Sequence, residues 1–151
     1  MICITGIPGT GKSTLCLNLN RNGVTCRPAN DEAQRLGCVS GDVVDTDRLR
    51  GAINGVNIIE GHYTHLLDCE CVIILTGSEE TIRKRLLDRG YSREKIEENI
   101  EVMLSGSIYY EALDRLPGGR IFTVNTDSEN EEAVLARVMT IISLIRGNNK
   151  S

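Results

Sequence analysis

The chain has 151 residues, 40% hydrophobic and 25% charged, with a formal net charge of −4. This fits one globular domain with a real core, and the acidic balance excludes a global basic field for gripping nucleic acid. No apolar run approaches the roughly 18 residues of a bilayer span and the first residues enter a strand pattern rather than a secretory leader, so the expectation is a cytoplasmic protein with no membrane partner.

Residues 2–6, "ICITG", form a short β-branched run ending in glycine. Apolar spacing over 11–20 predicts a helix packed on a sheet. "VTC" at 24–26 predicts a short strand. Residues 30–37 open with Asn30 as a capping residue and close with glycine, predicting a short helix. Residues 42–53 read as an extended piece and then a turn of helix. There Asp45 or Asp47 fits a helix cap better than a place near a ligand's ribose or base.

Residues 56–61 and 71–77 are continuous apolar runs, the pattern of central parallel strands buried on both faces. Residues 78–90 carry acids first, bases later and a closing glycine, as a helix macrodipole favours. Residues 92–116 read as helix interrupted near Gly106, and 120–126 as a last strand. In 128–147, Ser128 and Glu131 are spaced as a capping box, and Val134, Val138, Ile141 and Ile145 share a helix face. Alternating β and α elements predict an α/β domain over residues 1–151, a five-stranded parallel sheet with helices on both faces.

The strongest motif is "GIPGTGKS", Gly6–Ser13, which fits G-x-x-x-x-G-K-[ST] at every fixed position. It follows a predicted strand and opens a predicted helix, the placement that a phosphate-binding loop requires. Its glycines let successive N–H groups face a phosphate, and the helix N-terminus adds partial positive charge. Lys12 would neutralise β- and γ-phosphate oxygens, Ser13 would bind Mg²⁺, and Thr14 would reach the α-phosphate.

A second cluster is "NIIEGHYTH", Asn57–His65, with the chain's two histidines. Glu60 ends a strand at the carboxyl edge of the sheet, where open α/β folds bind ligands. A carboxylate there can hold Mg²⁺ through water or orient an attacking water. His62 would enter the same cleft with a pKa useful near neutrality; His65 reads as an ordinary polar residue. His62, His65, Cys69 and Cys71 fall close together, but their spacing is no finger pattern and no zinc site is expected. All six cysteines, Cys3, Cys16, Cys26, Cys38, Cys69 and Cys71, read as reduced, small buried hydrophobes. In "TIRKRLLDRGYSREK", Arg85 and Arg89 share a helix face, Arg83 and Lys84 read as a solvated face, and Arg89 sits where a guanidinium could swing over a phosphate.

The segments "GIPGTGKST", "VVDTDRLR", "IIEGHYTHLL" and above all "RLLDRGYSREKIEENIE" resemble the small adenylate-kinase-like NTPases called adenylate kinase isoenzyme 6, including archaeal members, over nearly the whole chain. The resemblance implies a P-loop, nucleoside monophosphate kinase-like fold. It implies ATP and Mg²⁺ as cofactors and transfer to AMP or another nucleoside monophosphate (ATP + AMP = 2 ADP), with broad monophosphate kinase and ATPase activity. Gly9, Thr10, Gly11, Lys12, Ser13 and Thr14 would contact ATP, Arg89 would reach it from a lid at about 88–98, and Asn125 and Thr126 would lie where related kinases wrap the adenine. The monophosphate region would be about 30–50. The resemblance also implies a part in small ribosomal subunit (16S rRNA) maturation, with a small-subunit ribosomal protein as partner and indirect rRNA contact. The alternative it leaves open is an ATPase switch or chaperone that remodels a ribosomal protein–RNA complex. Glu60-Gly61-His62 stands where eukaryotic members carry Asp-x-His, and the lid is too short for a zinc-binding insertion.

Overall fold

The fold comes from a computed structural model in which residues 1–127 and 129–148 are described. Strands β1 (Ile2–Thr5), β2 (Cys26–Pro28), β5 (Ile58–Glu60), β6 (Cys71–Thr76) and β7 (Ile121–Asn125) form one parallel sheet in the order β2-β5-β1-β6-β7. The strand that leads into the phosphate loop is therefore central, with β5 on one side and β6 on the other. This is the expected α/β architecture.

Side-chain alternation explains why both faces are covered. Ile2, Ile4, Ile73 and Leu75 point to one side, where they meet helices α1 (Lys12–Arg21) and α7 (Glu131–Asn148). Cys3, Ile59, Val72 and Ile74 point to the other. There they meet α2 (Ala29–Arg35), α3 (Thr46–Ala52), α4 (Glu79–Asp88), α5 (Arg93–Ser105) and α6 (Ser107–Leu113). Fully burying each such aliphatic side chain contributes about 1.5–3 kcal/mol. Val134, Val138, Ile141 and Ile145 all join the first core, as their spacing predicts.

The helix ends follow local chemistry. Ser78 accepts from the N–H of Thr81, Ser92 from that of Lys95 and Asp45 from that of Arg48, so Asp45 is the cap of α3. Gly106, at φ 69°, breaks α5 from α6 where a helical interruption is predicted. Asn130 caps α7 by accepting from the N–H of Ala133 at 2.8 Å. The expected capping box on Ser128 lies outside the described residues.

Three expectations need correction. The strand placed at 24–26 sits at Cys26–Pro28, because Asn20 bonds both backbone groups of Cys26 and residues 22–24 close the C-terminal turn of α1. Pro28 is tolerated because β2 is an edge strand. Asn30 does not cap α2, which already begins at Ala29; its side-chain oxygen accepts from the Tyr63 hydroxyl at 2.8 Å. The extended piece and helix expected over 42–53 are present as β4 (Val43–Val44) and α3; β4 also pairs with β3 (Val39–Ser40) in a small antiparallel hairpin turning at Gly41 and Asp42.

The cysteines are the third correction. Cys3 is joined to Cys69 and Cys16 to Cys26, with Cα atoms 5.9 and 5.3 Å apart. Packing brings partners from different elements to bridging distance. Cys38 and Cys71 are free and buried, and burial pushes the Cys71 thiol up to about 12. Among the described residues no helix is long and apolar enough to cross a membrane.

Candidate nucleotide site

The loop Gly6–Ser13 leaves the end of β1 and enters α1. Gly6, Gly9 and Gly11 all take positive φ, which L side chains rarely adopt. A Cβ on Gly6 would lie 2.6 Å from the Leu75 carbonyl oxygen, so no side chain fits there. At Gly11 a Cβ would meet nothing, so the loop is open on that side. A closed inner wall and an open outer wall make a cradle of backbone N–H groups at a helix N-terminus, which suits a phosphate.

Two contacts from distant elements brace this loop, and others close it from within. Arg85 Nη1 of α4 donates to the Gly9 carbonyl oxygen at 2.9 Å. Thr126 Oγ1, just after β7, donates to the Thr10 carbonyl oxygen at 2.8 Å. The Thr10 hydroxyl donates within the loop, to Ile7 at 2.8 Å, so Thr10 is buried and faces inward. Lys12 Nζ donates to the carbonyl oxygens of Gly6 and Ile7, each at 2.8 Å. Burial lowers its pKa to about 8, with Glu60 opposing the shift and Arg89 adding to it.

A cavity of about 440 Å³ opens beside the loop, a size that suits a small organic ligand. Gly9, Gly11, Thr14, Arg85, Arg89 and Thr126 all line it. The expected residues Gly9, Thr10, Gly11, Thr14, Arg89 and Thr126 thus converge on one space. Ser13 is exposed at the start of α1. Asn125 is turned to local work, accepting from the N–H of Asp127 at 3.0 Å.

Glu60 ends β5 directly opposite Ile4 of β1 and is buried. Burial raises its pKa, the Lys12 charge opposes that rise and Asp31 adds to it. His62 is exposed, with its ring edge-on to Tyr63 at 4.9 Å. Desolvation, then the nearby charges of Lys12 and His65, hold it below the ordinary histidine range. Glu60 and His62 thus each sit within the field of Lys12. Ser13 and Glu60 offer hard oxygen donors, one hydroxyl and one carboxylate. That set fits Mg²⁺, an ion that keeps waters and substrate phosphates for most of its positions.

The two histidines diverge. His65 is buried and bonded on both ring nitrogens, to Thr5 and Glu111. Cys69 is in a disulfide, and Cys71 faces the opposite core. Among the described residues no three metal-ligating side chains converge. Arg85 is the site residue that sequence reasoning passed over. Its place one helical turn before Arg89 was the available signal. Arg83 is not simply solvated: it pairs with Glu79 of its own helix and Glu97 of α5.

The chain is similar along its whole length to archaeal proteins that carry the name "Putative adenylate kinase". It is 47% identical to one from Thermoplasma acidophilum, with 99% of each chain covered. It is 42% identical to one from Thermoplasma volcanium, covering 97% of this chain and 96% of that one. The chain belongs to this archaeal adenylate kinase family. A more distant member, from Pyrococcus furiosus, is 35% identical over 95% of this chain and 84% of its own length. A protein-family profile described as "AAA domain" matches residues 2–104. Shikimate kinase from Bacteroides thetaiotaomicron shares the fold at a TM-score of 0.62, with 16% identity over 94% of this chain and 97% of that one. The family thus rests on a P-loop kinase fold.

Proposed function

We propose that this chain transfers the terminal phosphoryl group of ATP to AMP, giving two ADP, and accepts other nucleoside monophosphates. The observation that carries this reading is the convergence of the glycine cradle, Arg85 and Arg89 on one nucleotide-sized cavity, beside a loop whose Lys12 is held on the Gly6 and Ile7 carbonyl oxygens. Such a reaction needs positioning and charge neutralisation rather than a covalent enzyme intermediate. Lys12 and Arg89 would offset the charge on the phosphoryl oxygens. Ser13 and Glu60 would hold Mg²⁺, which supplies further charge neutralisation when bound. Segment 88–98 would act as the lid, and residues 30–50 would receive the monophosphate. In support, Arg27 just before that segment and Arg35 within it are half-exposed and both pair with the buried Glu32.

A second reading is ATP hydrolysis without a monophosphate. It is favoured by His62, which is exposed beside Lys12 and depressed in pKa, hence neutral and able to accept a proton from water. The link to small ribosomal subunit maturation, through a ribosomal protein, rests on the resemblance of the "RLLDRGYSREKIEENIE" segment. The deciding experiment follows ATP consumption and ADP formation with and without AMP, and with and without a candidate ribosomal partner. AMP-dependent ADP formation supports the kinase reading. AMP-independent turnover raised by the partner would replace it with the switch reading.

A further inference from the structure

His65 is a buried titratable group that the proposed chemistry leaves unused. Its Nδ1 lies 3.2 Å from Thr5 Oγ1 and its Nε2 lies 3.2 Å from Glu111 Oε2. A carboxylate only accepts, so Nε2 carries the proton and Nδ1 accepts from the Thr5 hydroxyl. Thr5 is fully buried and immediately precedes Gly6 of the phosphate loop. Glu111 lies on α6, which continues α5 beyond the Gly106 break, and α5 begins within the 88–98 segment, at Arg93. One imidazole therefore connects the helix pair behind the proposed lid to the strand that carries the loop.

The same strand also pins the segment after Glu60. The Gly61 N–H donates to the Ile4 carbonyl oxygen at 3.0 Å, and the Thr64 hydroxyl donates to the same oxygen at 2.7 Å. Between these anchors sit His62 and Tyr63. His65 follows directly, and its side chain also reaches α6.

We propose that His65 is a positioning residue for phosphoryl transfer, the centre of a Thr5–His65–Glu111 relay. The relay holds segment 61–65, and with it Glu60 and His62, in register with the phosphate loop, and it couples that register to α6. This rests on the kinase reading. The relay touches no reacting atom, so it acts on turnover through geometry, where small misplacements are expensive.

Paired variants test it. Thr5→Val removes the hydroxyl at nearly constant volume, and Thr5→Ser keeps it. Glu111 is half-exposed at 49%, so Glu111→Ala should fold, while Glu111→Gln keeps an acceptor for Nε2–H. Thr5→Val and Glu111→Ala should each lower kcat roughly tenfold while changing the KM for ATP by less than about twofold. Thr5→Ser and Glu111→Gln should restore most of the loss. The double variant should lose no more than either single one, because one broken link already disables the relay. Unchanged kcat, equal loss in the conservative variants, or losses that multiply would each overturn the proposal.

A second readout is independent of turnover. The imidazole nitrogen spectrum should show His65 Nδ1 unprotonated, and Glu111→Ala should shift both that signal and the Gly6 amide. If the wild-type protein forms no ADP from ATP and AMP, the kinase reading falls. A Gly6 amide unmoved by Glu111→Ala would overturn the relay itself.

Discussion

Arg85 and Gly9 are joined by a 2.9 Å hydrogen bond from guanidinium to carbonyl, so the helix that precedes the proposed lid grips the middle of the phosphate loop. The same guanidinium lines the nucleotide cavity. Removing it takes away a brace and a positive charge together. Arg85→Met should raise the KM for ATP by roughly 10- to 100-fold, the scale of a lost charge-assisted hydrogen bond of about 1.5–3 kcal/mol. Steady-state kinetics in ATP check this. Unaltered KM would make the contact purely structural.

Lys12→Ala should remove about 2–4 kcal/mol of transition-state stabilisation, the scale of losing one preorganised contact. Folding should survive, because a partly desolvated ammonium adds little to stability. A folded variant with wild-type turnover would exclude the loop as the catalytic site.

The Lys12 pKa also makes a pH prediction. Between about pH 8 and the ordinary value of 10.5, the unfolded chain holds a proton that the folded chain has lost. Stability should therefore rise with pH across that window relative to Lys12→Met. Anionic phosphates would restore the charge, so ADP binding near pH 9 should take up a proton. Calorimetry in buffers of different ionisation enthalpy measures that uptake, and Lys12→Met should abolish it.

Arg89 terminates α4 beside the cavity. A point charge cannot reproduce its planar fork, so Arg89→Lys should be impaired in ATP turnover. Full activity in that variant would reduce Arg89 to a surface charge.

Glu60 and His62 should separate the two activities. Glu60→Gln should damage both AMP-dependent transfer and AMP-independent hydrolysis. His62→Ala should cut hydrolysis more deeply, because AMP brings its own anionic nucleophile. Equal losses in His62→Ala would refute that division. Glu60 also carries a stability signature. Burial raises its pKa, so the folded form holds the proton longer, and stability should fall as pH rises above the ordinary 4.5. Glu60→Gln should flatten that decline in a melting-temperature series.

Much of this site was legible in the sequence because its parts are local. The glycines, Lys12 and Ser13 announce themselves through spacing, and β5 and β6 through uninterrupted apolar runs buried on two faces. What stayed hidden depends on which elements become neighbours. No spacing rule pairs Cys3 with Cys69 or brings Arg85 to Gly9. His62 and His65 look alike in sequence, yet a tight turn sends one outward and the other between Thr5 and Glu111. The hairpin at Val39–Val44 escaped because two-residue strands carry too little alternation to register.

The central position of β1 also bears on how the chain is made. Ile2 pairs with Ile58 on one side and with Cys71 on the other, both synthesised much later. During translation, at about 5–20 residues per second, the apolar stretch that ends in the phosphate loop emerges long before either neighbour exists. The nascent chain therefore carries an unpaired strand for several seconds. In that interval a ribosome-bound chaperone has its clearest reason to engage the chain, and premature pairing with a second nascent chain is the failure it would prevent.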